Sequence, residues 1–416
     1  MDILTRFELL KIMRRKSFYA GIMMVVVVAI FLTSVLVTNE WIKSKDGKDL
    51  SGIQAIHLER EYDRQLAGPL TVEKVADAVE RHQKVKHDPK NLDEKGEINN
   101  EAYAKYEFMD DQIDTLIRLA SSPVSEYDHD KIDNLKPNEA KTFYQTRMEK
   151  VNAYLNLDYS YGNYSAEDKA FFIDMNKSIP VPFQMDYVTG WENVFENLQF
   201  LFLISAFVIA ICLAPVFAGE YQSGADSIIL SSRYGRNKVI TAKLKASLIV
   251  SLGLLVLGLT TYTLLLLGIF GFEGGSAGVQ MIKLRTLMAP VPYTVFQTYL
   301  WAVFIGSLAC LLVGMVTLWL SSRMRSPFPV IIAIGILLIG PMFIPASKNS
   351  RLLNQMLDLL PGNMMFDGLK KITGYEVFHI FGQLIPEYKV MVGFAIIVIA
   401  LLLPLTYRAF KKHQVV

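Results

Sequence analysis

An all-α polytopic membrane protein is the fold class this sequence predicts: six transmembrane helices with one large, mainly helical extracytoplasmic insert. Three observations carry that reading. Several runs of about 20 apolar residues, the length that crosses a hydrocarbon core of about 30 Å, contain no ionisable side chain. A long polar block separates the first run from the second. Lysines and arginines gather in alternate short connections, as membrane topology requires.

Composition agrees once it is split by region. Of 416 residues, 52% are hydrophobic and 20% charged, against about 45–50% and about 25% in ordinary soluble domains. The formal net charge of +2 hides a separation. Residues 40–196 hold 20 Lys and Arg against 31 Asp and Glu, a net of −11, which leaves +13 for the rest of the chain. An acidic module is set into a basic, apolar chain. The basic residues lie in short clusters beside apolar runs, which argues against a nucleic-acid partner. The two cysteines, Cys212 and Cys310, fall inside apolar runs, so no disulfide framework is available to the insert. Both read as small buried hydrophobes.

The elements follow in order. Ile3, Phe7, Leu10 and Met13 recur at helical spacing, with Arg6, Arg14, Arg15 and Lys16 elsewhere around the turn. Such a helix lies along a cytoplasmic membrane interface. The first span covers Ser17–Thr38, and residues 1–38 form one unit. A cleaved signal peptide is the competing reading, but the apolar run is too long and no A-x-A-like site follows it. Residues 39–197 form the extracytoplasmic domain, long enough to bury a core of its own. Helices are expected there over Thr71–His87, Asn99–Ser121, Asn138–Leu157 and Ser165–Asn176, with Thr71 and Ser165 as N-caps followed by acids. Residues 198–416 carry the remaining spans, Leu198–Ala218, Leu244–Gly271, Tyr293–Leu320, Phe328–Ile344 and Lys389–Tyr407. Pro215 is placed to kink the second.

Orientation follows from counting. Residues 1–16, 220–245, 321–326 and 408–416 hold 15 Lys and Arg in 57 residues, whereas 273–292 and 346–388 hold 6 in 63. Both termini are therefore expected in the cytoplasm of a multi-pass cell-membrane protein, with the insert outside.

Chemistry is sparse. No Gly-rich loop ends in Gly-Lys-Ser/Thr, so the chain has no P-loop, and Gly274-Gly275-Ser276-Ala277-Gly278 reads as a flexible turn. No HExxH or Cys/His zinc spacing occurs. Asp110-Asp111 and Asp128-His129-Asp130 read as solvated faces, and Asn163-Tyr164-Ser165 is a three-residue glycosylation match of the kind chance supplies. No catalytic, cofactor-binding or metal-ligating residue is assigned. The interiors of the spans lack Asp, Glu, Lys, Arg and His, so coupling to an ion gradient has no visible machinery and transport would need energy from another chain. Small and polar span residues such as Ser205, Ser251, Gly258, Gly306 and Gly314 suit close helix packing, with a path for an amphipathic cargo as the alternative.

The most distinctive segment follows the second span: Phe217-Ala218-Gly219-Glu220-Tyr221-Gln222-Ser223-Gly224-Ala225-Asp226-Ser227-Ile228-Ile229-Leu230-Ser231-Ser232-Arg233, continuing to Lys238, Lys243 and Lys245. A short helix bearing Ile228, Ile229 and Leu230 can fill a groove in a partner. With Phe7-Glu8-Leu9-Leu10-Lys11-Ile12-Met13-Arg14-Arg15-Lys16 ahead of the first span, this resembles the ABC-2 type (ATP-binding cassette) transporter permeases, over residues 1–38 and 198–412. The insert is more like that of permeases with an enlarged extracellular domain between the first two spans. The resemblance implies a coupling loop at 219–243 that docks a separate ATPase subunit, with Glu220, Gly224, Arg233 and Lys243 as the ATPase-coupling residues. It implies a pair of permease chains, identical or related, on an ATPase dimer. ATP and Mg would be held by the ATPase, and no cofactor by this chain. Short outer or re-entrant helices are expected in the outer loop 346–388, over Arg351–Leu360 and Met364–Ile372.

The expected function is thus an exporter permease that moves an amphipathic, peptide or lipid-like cargo outward and is not itself an enzyme. Three rivals stand beside it. A gradient-driven secondary carrier requires a mid-membrane ionisable residue or a broken helix. A membrane sensor or scaffold with an extracellular ligand-binding domain would normally attach a cytoplasmic output domain. A membrane-embedded enzyme should pair polar catalytic groups at the interface, and none stands out.

Overall fold

A computed structural model of the 416-residue chain describes residues 2–44, 46–103, 105, 111–282 and 286–413. The architecture is mainly helical. Helix α1 (Ile3–Met13) is capped by the Asp2 carboxylate, which accepts from the Thr5 amide at 2.8 Å. Thr5, Glu8 and Ile12 face the protein, whereas Ile3, Phe7 and Leu10 point away from it. Helix α2 (Lys16–Asn39) buries Phe18, Gly21, Val25, Ala29 and Thr33, one side chain every three or four residues. Its other face is equally apolar and exposed, with Tyr19, Met23, Val27, Ile30 and Phe31. A helix that is hydrophobic all round belongs in an apolar solvent.

Within the insert, α3 (Ile53–Gln65), α4 (Val72–Lys86), α5 (Asn100–Ala102), α6 (Asp111–Ser121), α7 (Pro137–Ala140), α8 (Phe143–Leu155) and α9 (Ala166–Lys177) follow. Thr71 caps α4, accepting from the Lys74 amide. Ser165 caps α9 in a reciprocal box with Asp168. Then come α10 (Thr189–Leu213), α11 (Ala218–Ser223), α12 (Ala225–Ser231), α13 (Lys238–Phe270), α14 (Val295–Ser321), α15 (Pro327–Ile339), α16 (Arg351–Asp358), α17 (Pro361–Met365), α18 (Gly368–Thr373) and α19 (Glu387–Lys411). Helices α2, α10, α13, α14 and α19 are long and apolar enough to cross a membrane, which marks the chain as a membrane protein. They pack together closely, with α10 central: it touches α2, α13, α14 and α15. A Cβ on Gly306 of α14 would lie 2.2 Å from the Phe202 ring of α10, and one on Gly258 of α13 2.7 Å from Val25 of α2. These glycines serve helix packing, which answers the choice between packing and a cargo path at both positions.

Three expectations change. The run expected to span over Phe328–Ile344 is helical only over Pro327–Ile339, with a 3₁₀ turn at Gly340–Phe343. Thirteen α-helical residues rise about 20 Å, short of the hydrocarbon core; Gly340 and Pro341 end the regular helix. The second long helix begins at Thr189 rather than Leu198, because Trp191 and Val194 continue its buried stripe into the insert. The helical class holds, with only a little sheet. Three two-stranded ribbons pair β1 (Trp41–Lys43) with β2 (Asp49–Ser51), β3 (Gly68–Pro69) with β4 (Gln184–Met185), and β5 (Val377–Ile380) with β6 (Gln383–Pro386). Asn138–Leu157 is two helices, since the chain turns at Lys141 and Thr142 between α7 and α8. Residues 104 and 106–110, which carry part of the expected Asn99–Ser121 helix and Asp110, lie outside the described residues, as do 283–285 of the 273–292 loop.

The insert holds a core of Ile56, Leu70, Val75, Val79, Ile113, Leu116, Ile117 and Phe143. Beside it His82 stands between Asp133, at 2.7 Å from Nε2, and Asp114, at 3.7 Å from Nδ1, while Lys86 reaches Asp133 at 2.8 Å. Burial would raise the Asp133 carboxyl, but hydrogen bonds from His82 and Lys86 prevail and hold it at about 2. A depressed acid stabilises the fold above its unfolded value and loses that contribution as pH falls through the folded one. Asp133→Asn should therefore lower insert stability by about 2 kcal/mol at neutral pH and flatten the acid response between about pH 4 and 2. Hydrogen exchange of α4 and α6 in the full chain, followed across that window, measures this; an unchanged acid profile would refute it.

Candidate functional site

The site is built at the end of the helix bundle where α1 begins and α19 ends. Pro215 cannot continue α10, and a 3₁₀ turn at Ala214–Val216 replaces the helix. The groups this break frees are met from α14: Ser321 Oγ accepts from the Phe217 and Ala218 amides at 3.1 and 3.0 Å and donates to the Ala214 carbonyl at 2.6 Å. All four groups are buried, so the serine satisfies what would otherwise be costly orphans. The chain then turns away through α11, reverses at Gly224 and continues in α12. Gly224 has φ +69°, the left-handed conformation that ends one helix and starts the other, and space around it is open.

Four ionised side chains from three elements meet under this loop. Lys243, near the start of α13, is 1% exposed. Its ammonium lies 2.9 Å from Glu8 Oε2, 2.5 Å from Glu220 Oε1 and 3.2 Å from the Val216 carbonyl. Lys11 reaches the same Glu220 Oε1 at 2.5 Å. Each carboxylate is directly paired with a cation, and Arg15 adds a further positive charge nearby, which is how buried charges are tolerated. Glu220 Oε2 and Arg15 Nη1 are buried without a hydrogen bond, while Arg15 Nη2 donates to the Pro215 carbonyl at 3.3 Å. The quartet thus welds the interfacial helix α1, the loop helix α11 and the base of α13 into one body.

The loop is also tied to the last helix and to α14. Tyr221 stacks on Phe410 and donates to the Ser322 carbonyl at 3.0 Å. His413 lies 3.3 Å from Asp226, and Arg236 donates to the Lys411 carbonyl at 2.9 Å. What this braced loop presents outward is a small mixed surface. Ile228 is 75% exposed on α12, and beyond it Arg233 and Lys238 both lie over the exposed Tyr234 ring. An apolar knob flanked by cations suits docking to another protein.

Of the four residues singled out as coupling positions, the structure brings Glu220 and Lys243 into contact. Gly224 is the joint between α11 and α12, and Arg233 stands apart on the exposed surface. Sequence reasoning placed no role on Glu8 or Lys11. The signal for Glu8 was a single acid on an otherwise basic and apolar helix; Lys11 looked like one more topology-setting cation. Elsewhere, Asn163 of the glycosylation match builds its own turn, accepting from the Tyr159 amide and donating to Asp158. Asp128 accepts from the Asp130 amide within a turn. No family model matches this chain, and no curated protein or solved structure matches it either.

Proposed function

We propose that this chain is the membrane-spanning permease subunit of an ATP-driven ABC-2 type exporter, moving an amphipathic, peptide or lipid-like cargo outward. The observation that carries the proposal is the buried Glu8–Lys243–Glu220–Lys11 quartet beneath an exposed docking face. A push on α12 cannot be absorbed locally, because α11 is held to α1 and α13 by charge and to α14 and α19 by hydrogen bonds and rings. A partner acting on Ile228 and Arg233 would move four membrane-associated elements together. In this reading α15 with its 3₁₀ extension completes a sixth span, helped by α17, which buries Pro361, Gly362, Met364 and Met365 in the bundle. Both termini and the 219–243 loop face the cytoplasm, residues 39–197 face outward, and the chain pairs with a second permease chain on an ATPase dimer that holds ATP and Mg. Membrane lipid surrounds the long helices.

The test is tagged purification of the full chain in mild detergent from its native host, with mass spectrometry of partners and an ATPase assay. Glu220→Ala confounds folding with coupling, since Glu220 is buried, so Ile228→Asp and Arg233→Ala are the informative variants. Both should leave the melting temperature unchanged and reduce co-purifying ATPase activity at least several-fold. Recovery of the chain without any ATPase in several detergents would overturn the proposal and favour a gradient-driven carrier.

A further inference from the structure

Helix α16 is amphipathic with its two faces inverted. Its polar side chains turn inward: Gln355 donates to the Val377 carbonyl at 2.9 Å and to Glu376 at 3.2 Å. Asn354 exchanges two hydrogen bonds with the Ser347 backbone, and Arg351 donates to the Gly162 carbonyl of the insert at 2.8 Å. The apolar side chains Leu352, Leu353 and Met356 face outward, each at least half exposed. A surface helix in water shows the opposite pattern. The neighbouring β5–β6 ribbon does the same at its turn. Phe381 is fully exposed there, with φ +49°, beside Gly382 at φ +78°. A two-residue turn with both φ values positive ordinarily takes Asn-Gly or Asp-Gly. A bulky residue in the left-handed region costs energy, so nothing in the turn's own chemistry calls for a phenylalanine.

The level of this apolar patch is fixed by α19. Leu352, Met356 and Ile380 line a cavity of about 510 Å³ together with Val390, and Val390 lies in the first turn of that long apolar helix. Other exposed aromatics mark the same, insert-bearing end of the bundle. Trp41 follows α2, Phe272 follows α13, Phe296 opens α14 and Phe343 follows α15. Trp191 of α10 meets the Phe296 ring, and Gly190 abuts the Gly271 carbonyl, which places these helix ends side by side. A lipid–water boundary gathers aromatic side chains at one level around a bundle. The first turn of α19 has only the buried Tyr388, and Phe381 takes the exposed place there. A soluble partner would cover one face rather than meet rings at the ends of four helices. Lys348 and Lys389, both exposed, flank the patch in the chain, and lysine stems are long enough to reach a headgroup layer.

We propose that α16 and the tip of the β5–β6 ribbon are seated in the bilayer interface, with Leu352, Leu353, Met356 and Phe381 among the acyl chains. The occupant of this face is lipid, not a second copy of the chain or a soluble protein. An amphipathic helix lying in the interface plane buries its apolar face to just this depth, between headgroups and acyl chains. The seat has a consequence for the insert. Arg351 is stacked 4.0 Å over the Tyr164 ring as well as bonded to Gly162, and His379 lies 2.9 Å from Asp168. Both contacts join the lipid-seated elements to the insert at the start of α9. The bilayer surface thus holds that side of the insert in place, although the segment that does so crosses no membrane.

The experiment uses the full chain in vesicles of phosphatidylethanolamine and phosphatidylglycerol, with a nitroxide on one introduced cysteine at a time. Cys212 and Cys310 are buried, and the native chain carried through the same labelling sets the background. Power saturation compares collision with oxygen, which concentrates among acyl chains, and with nickel ethylenediaminediacetate, which stays in water. Labels at Met356→Cys and Phe381→Cys should resemble one at Ile397→Cys, on the exposed face of α19. Their oxygen-to-nickel collision ratio should be several-fold above that of Lys84→Cys, on the exposed face of α4. All four side chains are exposed, so the labels leave the core packing intact. Ratios at Met356 and Phe381 equal to that at Lys84 would overturn the proposal. So would labels shielded from both reagents, which would show that protein covers this face. The measurement involves no ATPase and no cargo, so its outcome is separate from that of the exporter reading.

Discussion

Lys243→Met is expected to destabilise the full chain by about 3–5 kcal/mol, the cost of leaving a buried charge without its partner. The replacement fills nearly the same volume, so packing is preserved and the effect is electrostatic. In its absence the two carboxylates keep only Lys11 as a direct ion-pair partner, with Arg15 nearby, and both are nearly buried, at 9% and 3% side-chain exposure. Lys11 cannot replace Lys243, because it is itself about one-third exposed and already bound to Glu220. Restoring neutrality should recover much of the loss. Glu8→Gln with Lys243→Met removes one charge of each sign and leaves the Lys11–Glu220 pair, so the double variant should be clearly more stable than Lys243→Met alone. Thermal unfolding in detergent, read by intrinsic fluorescence, measures the cycle. An unchanged melting temperature in Lys243→Met would mean that the quartet is not a structural weld, and the proposed route of force from α12 to α13 would lose its basis.

The same quartet marks the limit of what sequence reveals about this protein. Glu220 and Lys243 could be singled out because the resemblance to ABC-2 type permeases implies coupling residues in the loop after the second span. Their partners could not, because Glu8 and Lys11 lie more than two hundred residues away, and no local pattern encodes a contact of that separation. Local signals did carry well: Thr71 and Ser165 cap the helices expected of them, since a capping hydroxyl and the acids after it act within one turn. Helix α3 went unseen because Gly52, at its N-cap, offers no side-chain cap and Glu59-Arg60-Glu61 masks its buried Ala55, Ile56 and Tyr62. The strands have two to four residues each, too few for an alternating pattern to register.

Arg147 is the insert residue whose loss should be felt most, although it looks like any surface cation in an acidic domain. It is 3% exposed and has no ion pair with a carboxylate among the described residues. Its guanidinium instead donates to the Leu287 carbonyl at 2.7 Å, the Ala289 carbonyl at 3.2 Å and Asn176 Oδ1 at 2.9 Å, with the Phe183 ring 5.5 Å away. Burial pulls its pKa below the ordinary arginine value, but a guanidinium starts so high that it stays charged. The contact pins α8 and α9 to the segment between α13 and α14, and so positions the insert on the bundle. Arg147→Met removes the charge but orphans buried acceptors. Gln280 also bonds the Ala289 carbonyl, at 3.1 Å, so Leu287 and Asn176 bear most of the loss. At about 1–3 kcal/mol for each unsatisfied group, a total near 3 kcal/mol is expected. Arg147→Lys should recover little, because one ammonium cannot reproduce a planar fork that spans three acceptors. Hydrogen exchange in the full chain should then rise first at residues 286–291 and in α9, while α2, α10 and α14 stay protected. Exchange that rises uniformly, or not at all, would show that the insert is held to the bundle by its apolar contacts rather than by this arginine.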